Sequence, residues 1–157
     1  MAGRDKGVKF FTADEANARL PLVRAITGDW ARLSRDVVER RERLAHLLSN
    51  RPQEGRDLYR DELTQIEQEL EKDALALQEY VHELRELGVE PKNALEGLVD
   101  FPAMMDGRPV YLCWKLDEPE VLFWHEMDAG FRGRQPLTAD SISSGADLGQ
   151  GGASVDD

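Results

Sequence analysis

One cysteine and three histidines are all that this 157-residue chain offers among the side chains that most often hold transition metals. That scarcity excludes a disulfide framework and any zinc finger built on paired cysteines. With its cysteine unpaired and with Met1 to Gly7 charged rather than apolar, the chain is expected to reside in the cytoplasm. Long apolar runs are lacking too, so no membrane partner is expected. Basic residues are in deficit: 20 Lys and Arg stand against 31 Asp and Glu, a net charge of -11. Nucleic acid and anionic lipid reward clustered positive charge and are therefore poor partner candidates.

What is present fits one domain, since domains cluster near ~100 to 150 residues. It is expected over residues 9–137, between a flexible N-terminus, residues 1–8, and a disordered acidic tail, residues 138–157, rich in Gly, Ser and Asp with no Lys, Arg or aromatic residue. Thr12 stands three residues before Glu15, a spacing that lets hydroxyl and carboxylate each satisfy a free backbone N–H and predicts a helix beginning at Ala13. Pro21 comes too late for the first turn and is expected to bend this helix or to split off a leading turn. Ile26, Trp30, Leu33, Val37, Leu44 and Leu47 then follow at three- and four-residue steps, with Arg40 in the one polar slot. Pro52 and Gly55 mark a turn. Leu63, Ile66, Leu70, Leu77, Tyr80, Leu84 and Leu87 repeat the pattern with Asp73 in the polar slot, and Gly88 supplies a stop.

Two seamed helices joined by a short turn predict an antiparallel helical hairpin over residues 13–88. Each helix has a narrow stripe, and mutual packing leaves its outer flank uncovered unless another element or subunit lies on it, so a homo-oligomer or another protein partner is expected there. Arg40 and Asp73 meet across the hairpin if the turn brings them level, and are otherwise a solvated pair.

Beyond Gly88 the rhythm changes to period two. Val110, Leu112, Trp114 and Leu116 alternate with Tyr111, Cys113 and Lys115, and Asp117-Glu118-Pro119 breaks the run before Val121 to His125. A β-hairpin is predicted there, with Leu98 to Phe101 as a third strand ended by Pro102. The fold class is thus α+β: a long antiparallel helical hairpin, then a small antiparallel β-sheet in a β-rich block over residues 97–137.

Four segments carry a resemblance: FTADEANARLPLV at 11–23, GLVDFP at 97–102, VYLCW at 110–114 and FWHEMDAGFRGRQP at 123–136. Together they resemble a small bacterial family catalogued as domain of unknown function 2203. The resemblance covers residues 9–137 and implies the domain bounds but no activity.

Chemistry is best sought in the β-rich block, where two of the three tryptophans, the only cysteine and the cluster His125-Glu126-Met127-Asp128 fall together. An imidazole and a carboxylate three residues apart at a strand end can grip one divalent ion, with Asp100 or a helix glutamate (Glu62, Glu69, Glu79 or Glu83) as third ligand. His82 is read as a surface residue. The alternative is a structural polar cluster that ties sheet to helix. If Leu112 and Trp114 share a face with Phe123 and His125, Cys113 looks away from His125, which argues against a Cys-His enzyme and for a buried, inert thiol. Arg132 and Arg134 lie in a glycine-bearing loop and are candidates for binding an anion, Arg134 alternatively for bridging acidic residues of the helical hairpin.

Two function classes follow. One is a metal-binding domain of hydrolytic type, with His125, Asp128 and Asp100 as ligands of one divalent metal ion and Glu126 as candidate base on bound water. The other is a non-enzymatic helical-hairpin interaction or assembly module.

Overall fold

In a computed structural model that describes residues 8–50 and 55–138, the chain forms two long helices followed by a five-stranded antiparallel sheet. Helix α1 spans Ala13–Ser49 and helix α2 spans Arg56–Glu86. The strands are β1 (Glu90–Asn93), β2 (Leu98–Met105), β3 (Arg108–Lys115), β4 (Phe123–Glu126) and β5 (Gln135–Pro136), paired in chain order. A 3-10 turn over Phe131–Gly133 precedes β5. The turn expected at Pro52, the flexibility expected of residues 1–7 and the disorder expected of the tail from 139 onward lie outside the described residues.

The start of α1 is built as its spacing predicts. Thr12 Oγ1 accepts the Glu15 N–H and a Glu15 carboxylate oxygen accepts the Thr12 N–H, each at 3.0 Å. Pro21, however, neither ends nor divides the helix, which runs unbroken for 37 residues. Its ring is exposed, and the lost intrahelical bond and the crowding of the preceding turn are local costs that the rest of the 37-residue helix outweighs. Helix α2 stops as expected at Gly88, with φ of 85°. Val89 N–H donates to the Leu84 carbonyl at 3.0 Å and Gly88 N–H to that of Arg85 at 2.9 Å, and the two apolar ends of this motif, Leu84 and Val89, are both buried.

The helices run antiparallel, since partners on α2 fall in number as those on α1 rise: Arg40 meets Asp73 and Glu69, Arg43 meets Glu62, and the Leu47 carbonyl accepts the Tyr59 hydroxyl at 2.9 Å. Arg40 and Asp73 thus do stand level. At ~1.5 Å per residue α1 is roughly 55 Å long, and the sheet covers only one end of it. The core joins Ala16, Leu20, Val23 and Trp30 of α1 and Leu84 of α2 to Val99, Phe101, Leu112, Trp114 and Trp124 of the sheet. Away from it the expected seam residues Leu33, Leu44, Leu47, Leu63 and Leu70 are only half-buried, while Leu77, also half-buried, packs against the core.

The sheet is larger than its sequence pattern suggests. Asp106 and Gly107, at φ of 54° and 77°, form the two-residue turn with both central residues left-handed that closes a β2–β3 hairpin. Pro102 does not end β2 but sits inside it, opposite Tyr111. A residue's N and O point to the same side of a strand, and the Pro102 oxygen accepts the Phe11 N–H at 2.7 Å, so its missing N–H lies on the edge beyond β1 and no ladder bond is lost. The turn from β1 to β2 needs Gly97: a Cβ there would lie 2.6 Å from that of Leu116.

Polar tethers seat the sheet on α1. Asn17 Oδ1 accepts the Val121 N–H at 2.7 Å, and Arg24 donates to the Glu118 and Pro119 carbonyls at 3.3 and 3.0 Å. Burial sets the expected response to truncation. Leu84→Ala, at a fully buried position, should cost about 2 to 5 kcal/mol. Leu75→Ala, at a position 64% exposed, should stay within about 0.5 kcal/mol. Urea denaturation of both variants beside the parent checks the contrast, and equal losses would contradict the packing described.

Candidate metal centre

Side chains alternate along each strand, so the register decides which residues share a face. Leu112 pairs with Trp124 and Tyr111 with His125, while Asp100 pairs with Cys113 and Cys113 with Phe123. The helix-facing side therefore carries Val99, Phe101, Leu112, Trp114 and Trp124. The outer side carries Asp100, Tyr111, Cys113, Phe123 and His125. This corrects the sequence expectation: Leu112 and Trp114 share their face with Trp124 and not with His125, and Cys113 looks toward His125. The physical reason is burial, because a shift by one residue would carry Trp124 off the helices and put His125 in the apolar core.

Asp100, Cys113 and His125 are each buried, and one ligand atom from each lies within 4.8 Å of the others. His125 Nδ1 stands 2.7 Å from the Glu126 carbonyl oxygen, which can only accept, so this nitrogen carries a hydrogen. Nε2 is 3.0 Å from Asp100 Oδ2, and one proton is held between the two. The other oxygen, Oδ1, has no donor in good hydrogen-bonding geometry. Burial raises the Asp100 carboxyl above the usual carboxylate range, opposed by the charge and hydrogen bond of His125 and by a weaker hydrogen bond from the Cys113 thiol. Burial also pushes the Cys113 thiol up to about 12, with the Asp100 charge adding to it. The Tyr111 ring, 5.5 Å from the imidazole, lies half-buried on the same face.

The other sequence candidates are placed elsewhere. Asp128 is exposed in the turn after β4 and is not part of this group; Cys113 stands where Asp128 was expected. Glu126 points to the opposite face, as its neighbour on the strand must, and Arg108 grips it through two hydrogen bonds of 3.1 and 2.5 Å that hold its carboxyl below the usual range. A base on a water at His125 is not available from that position. Glu62 and Glu69 pair with arginines of α1, and His82 lies near Glu86.

Arg134 is not an open anion site either. Its guanidinium donates to both oxygens of Glu118 at 2.8 and 2.7 Å and lies 3.9 Å from the Phe123 ring centre and 4.6 Å from that of Phe131. The acidic partner comes from the β3–β4 connection and not from the helices. Arg132 is exposed. The stack adjoins the triad, since Phe123 is the register partner of Cys113, and Arg134 and Glu118 act on the thiol in opposite directions.

Residues 9–137 match the family described as uncharacterized conserved protein, DUF2203. The chain belongs to that family. No curated protein and no solved structure matches it. Within domain of unknown function 2203, the chemistry of this member therefore rests on its own side chains. No helix among the described residues is long and apolar enough to cross a membrane.

A thiol held protonated is a poor nucleophile, which sets the reactivity of Cys113 apart from that of a catalytic cysteine. In the folded protein at pH 8 it should react with an alkylating reagent on the order of a thousandfold more slowly than in the unfolded chain. The linked stability has a definite sign. The raised thiol contributes stability that is fully present below the unfolded value, near 9.0, and is lost as pH climbs toward about 12. Denaturation midpoints from pH 8 to 11 should fall less steeply in Cys113→Ala than in the parent; parallel slopes would contradict the burial assigned to the thiol.

Proposed function

We propose that this domain binds one divalent metal ion at Asp100, Cys113 and His125. The observation that carries the reading is the grouping of three buried ligand atoms within 4.8 Å of one another; beside it, Asp100 Oδ1 has no donor in good hydrogen-bonding geometry, with only the weak Cys113 thiol donor acting on the carboxylate besides His125, and a coordinated cation satisfies such a buried oxygen more fully. The imidazole supports it, because a metal-binding histidine commonly donates its second N–H to a backbone carbonyl, as Nδ1 does here to Glu126. Three donor types on neighbouring strands of one sheet also form a stiffer cage than loop residues would. A Cys-His nucleophile fits less well, since Nε2 faces Asp100 and the thiol is held neutral.

Protein purified without a histidine tag should contain about one transition-metal ion per chain by elemental analysis, or take one up after dialysis. His125→Ala should abolish this, whereas Asp128→Ala should leave it intact. With free ion at ~100 times Kd, the parent gains about 2.7 kcal/mol of stability that chelator removes. Protein that neither contains nor takes up an ion, with a melting temperature indifferent to chelator, would leave the triad as a structural polar cluster.

A second reading has its own support. Helix α2 fully buries only Ile66 and Leu84 over 31 residues, so the seam of the hairpin has apolar surface to spare for a second copy of this chain. On that reading the hairpin is an assembly module and the metal centre steadies the sheet at its base. Light scattering over a concentration series should then report a dimer; a monomer at high micromolar concentration would end the assembly reading without touching the first.

A further inference from the structure

The donor set points beyond a generic cation, and we infer that Cys113 makes this a zinc-class site: one thiolate, one imidazole and one carboxylate, with the fourth tetrahedral position left to a small exogenous donor. The inference rests on the reading of the triad as a metal centre. Magnesium and calcium are hard ions that take six or more oxygen ligands, and a buried group of one sulfur, one nitrogen and a single carboxylate cannot supply them. Zinc and its close analogue cobalt accept this mixture in four-coordinate geometry. Cys113 is thus the specificity-determining residue, and its one-strand separation from both partners is what the register provides.

The fourth position follows from where the remaining acids are committed. Among the described residues no fourth His, Cys, Asp or Glu joins the group. Glu126 is held by Arg108 and Glu118 by Arg134, and Asp128 is exposed in the turn beyond the strand. Three protein ligands with one place for water or substrate are the arrangement of catalytic rather than structural zinc. Binding balances simply: the ion displaces the thiol proton and the proton held between Nε2 and Oδ2, and both leave to solvent. The 3.0 Å separation of that pair must then open by roughly 0.4 Å, because tetrahedral donors ~2.0 to 2.2 Å from zinc stand about 3.4 Å apart.

Cobalt tests this on the full chain, prepared without a histidine tag, stripped with chelator and titrated with Co²⁺ alone. The expected spectrum combines a thiolate-to-cobalt charge-transfer band in the near ultraviolet with intense four-coordinate bands in the visible. One equivalent of Zn²⁺ should bleach both, while a large excess of Mg²⁺ or Ca²⁺ leaves them unchanged. Added azide should shift the visible bands. Cys113→Ser should lose the charge-transfer band and more than the ~10- to 100-fold in affinity that removal of an outer hydrogen-bond partner costs. The parent spectrum decides the matter even if that variant folds poorly. Cobalt bound without a charge-transfer band overturns the role of Cys113 yet leaves a metal centre standing; visible bands indifferent to azide overturn the open position; no cobalt uptake at all removes the metal reading itself.

Discussion

Burial of one face of the sheet against α1 is the constraint on which the rest depends. Phe101, Leu112, Trp114 and Trp124 share that face and belong to one core with Val23 and Trp30, so β2, β3 and β4 cannot slip by a residue without turning an aromatic or branched side chain away from the helices. Once that register is set, the outer face has no freedom left. Asp100, Cys113 and His125 are brought together because their neighbours on each strand must go to the helices.

An outer face holding three buried ionisable groups is an expensive arrangement. Desolvation disfavours the charged carboxylate and the thiolate alike, and the Asp100–His125 pair recovers part of that by sharing one proton. The surroundings add to the enclosure: Tyr111 lies against the imidazole, and Phe123, beside Cys113, is stacked by Arg134, which Glu118 holds with two bonds. No such effort is needed to fill a small sheet with methyl groups.

The helical hairpin contributes differently along its length. Its base carries the apolar contacts with the sheet and the tethers from Asn17 and Arg24. Farther out, ion pairs of Arg40 and Arg43 align the two helices, but exposed pairs of this kind are worth ~0 to 1 kcal/mol and specify alignment more than they stabilise it. The outer half therefore leans on its own helix propensity and on a seam that is half open. That asymmetry separates a firmly packed base, where the candidate centre lies, from a projecting arm with surface to spare.

Much of the architecture was legible in local spacing. Thr12 with Glu15 marked the first residue of α1, Gly88 marked the end of α2, and the change from steps of three and four to steps of two located the sheet. These signals work because each reports a backbone requirement met within a few residues. The split expected at Pro21 and the strand end expected at Pro102 failed for different reasons: Pro21 forgoes one bond in a helix whose other turns hold, whereas the missing N–H of Pro102 falls where no ladder bond would have been made. Asp100 and His125 were legible as candidates from their chemistry, since a carboxylate and an imidazole amid aromatic strands invite a ligand. The side chain that the fold groups with them, Cys113, was not. Whether Cys113 or Asp128 completes the group depends on strand register, and register is decided by which side chains the distant helix α1 can bury, a relation between residues some ninety positions apart in the sequence that no local pattern records.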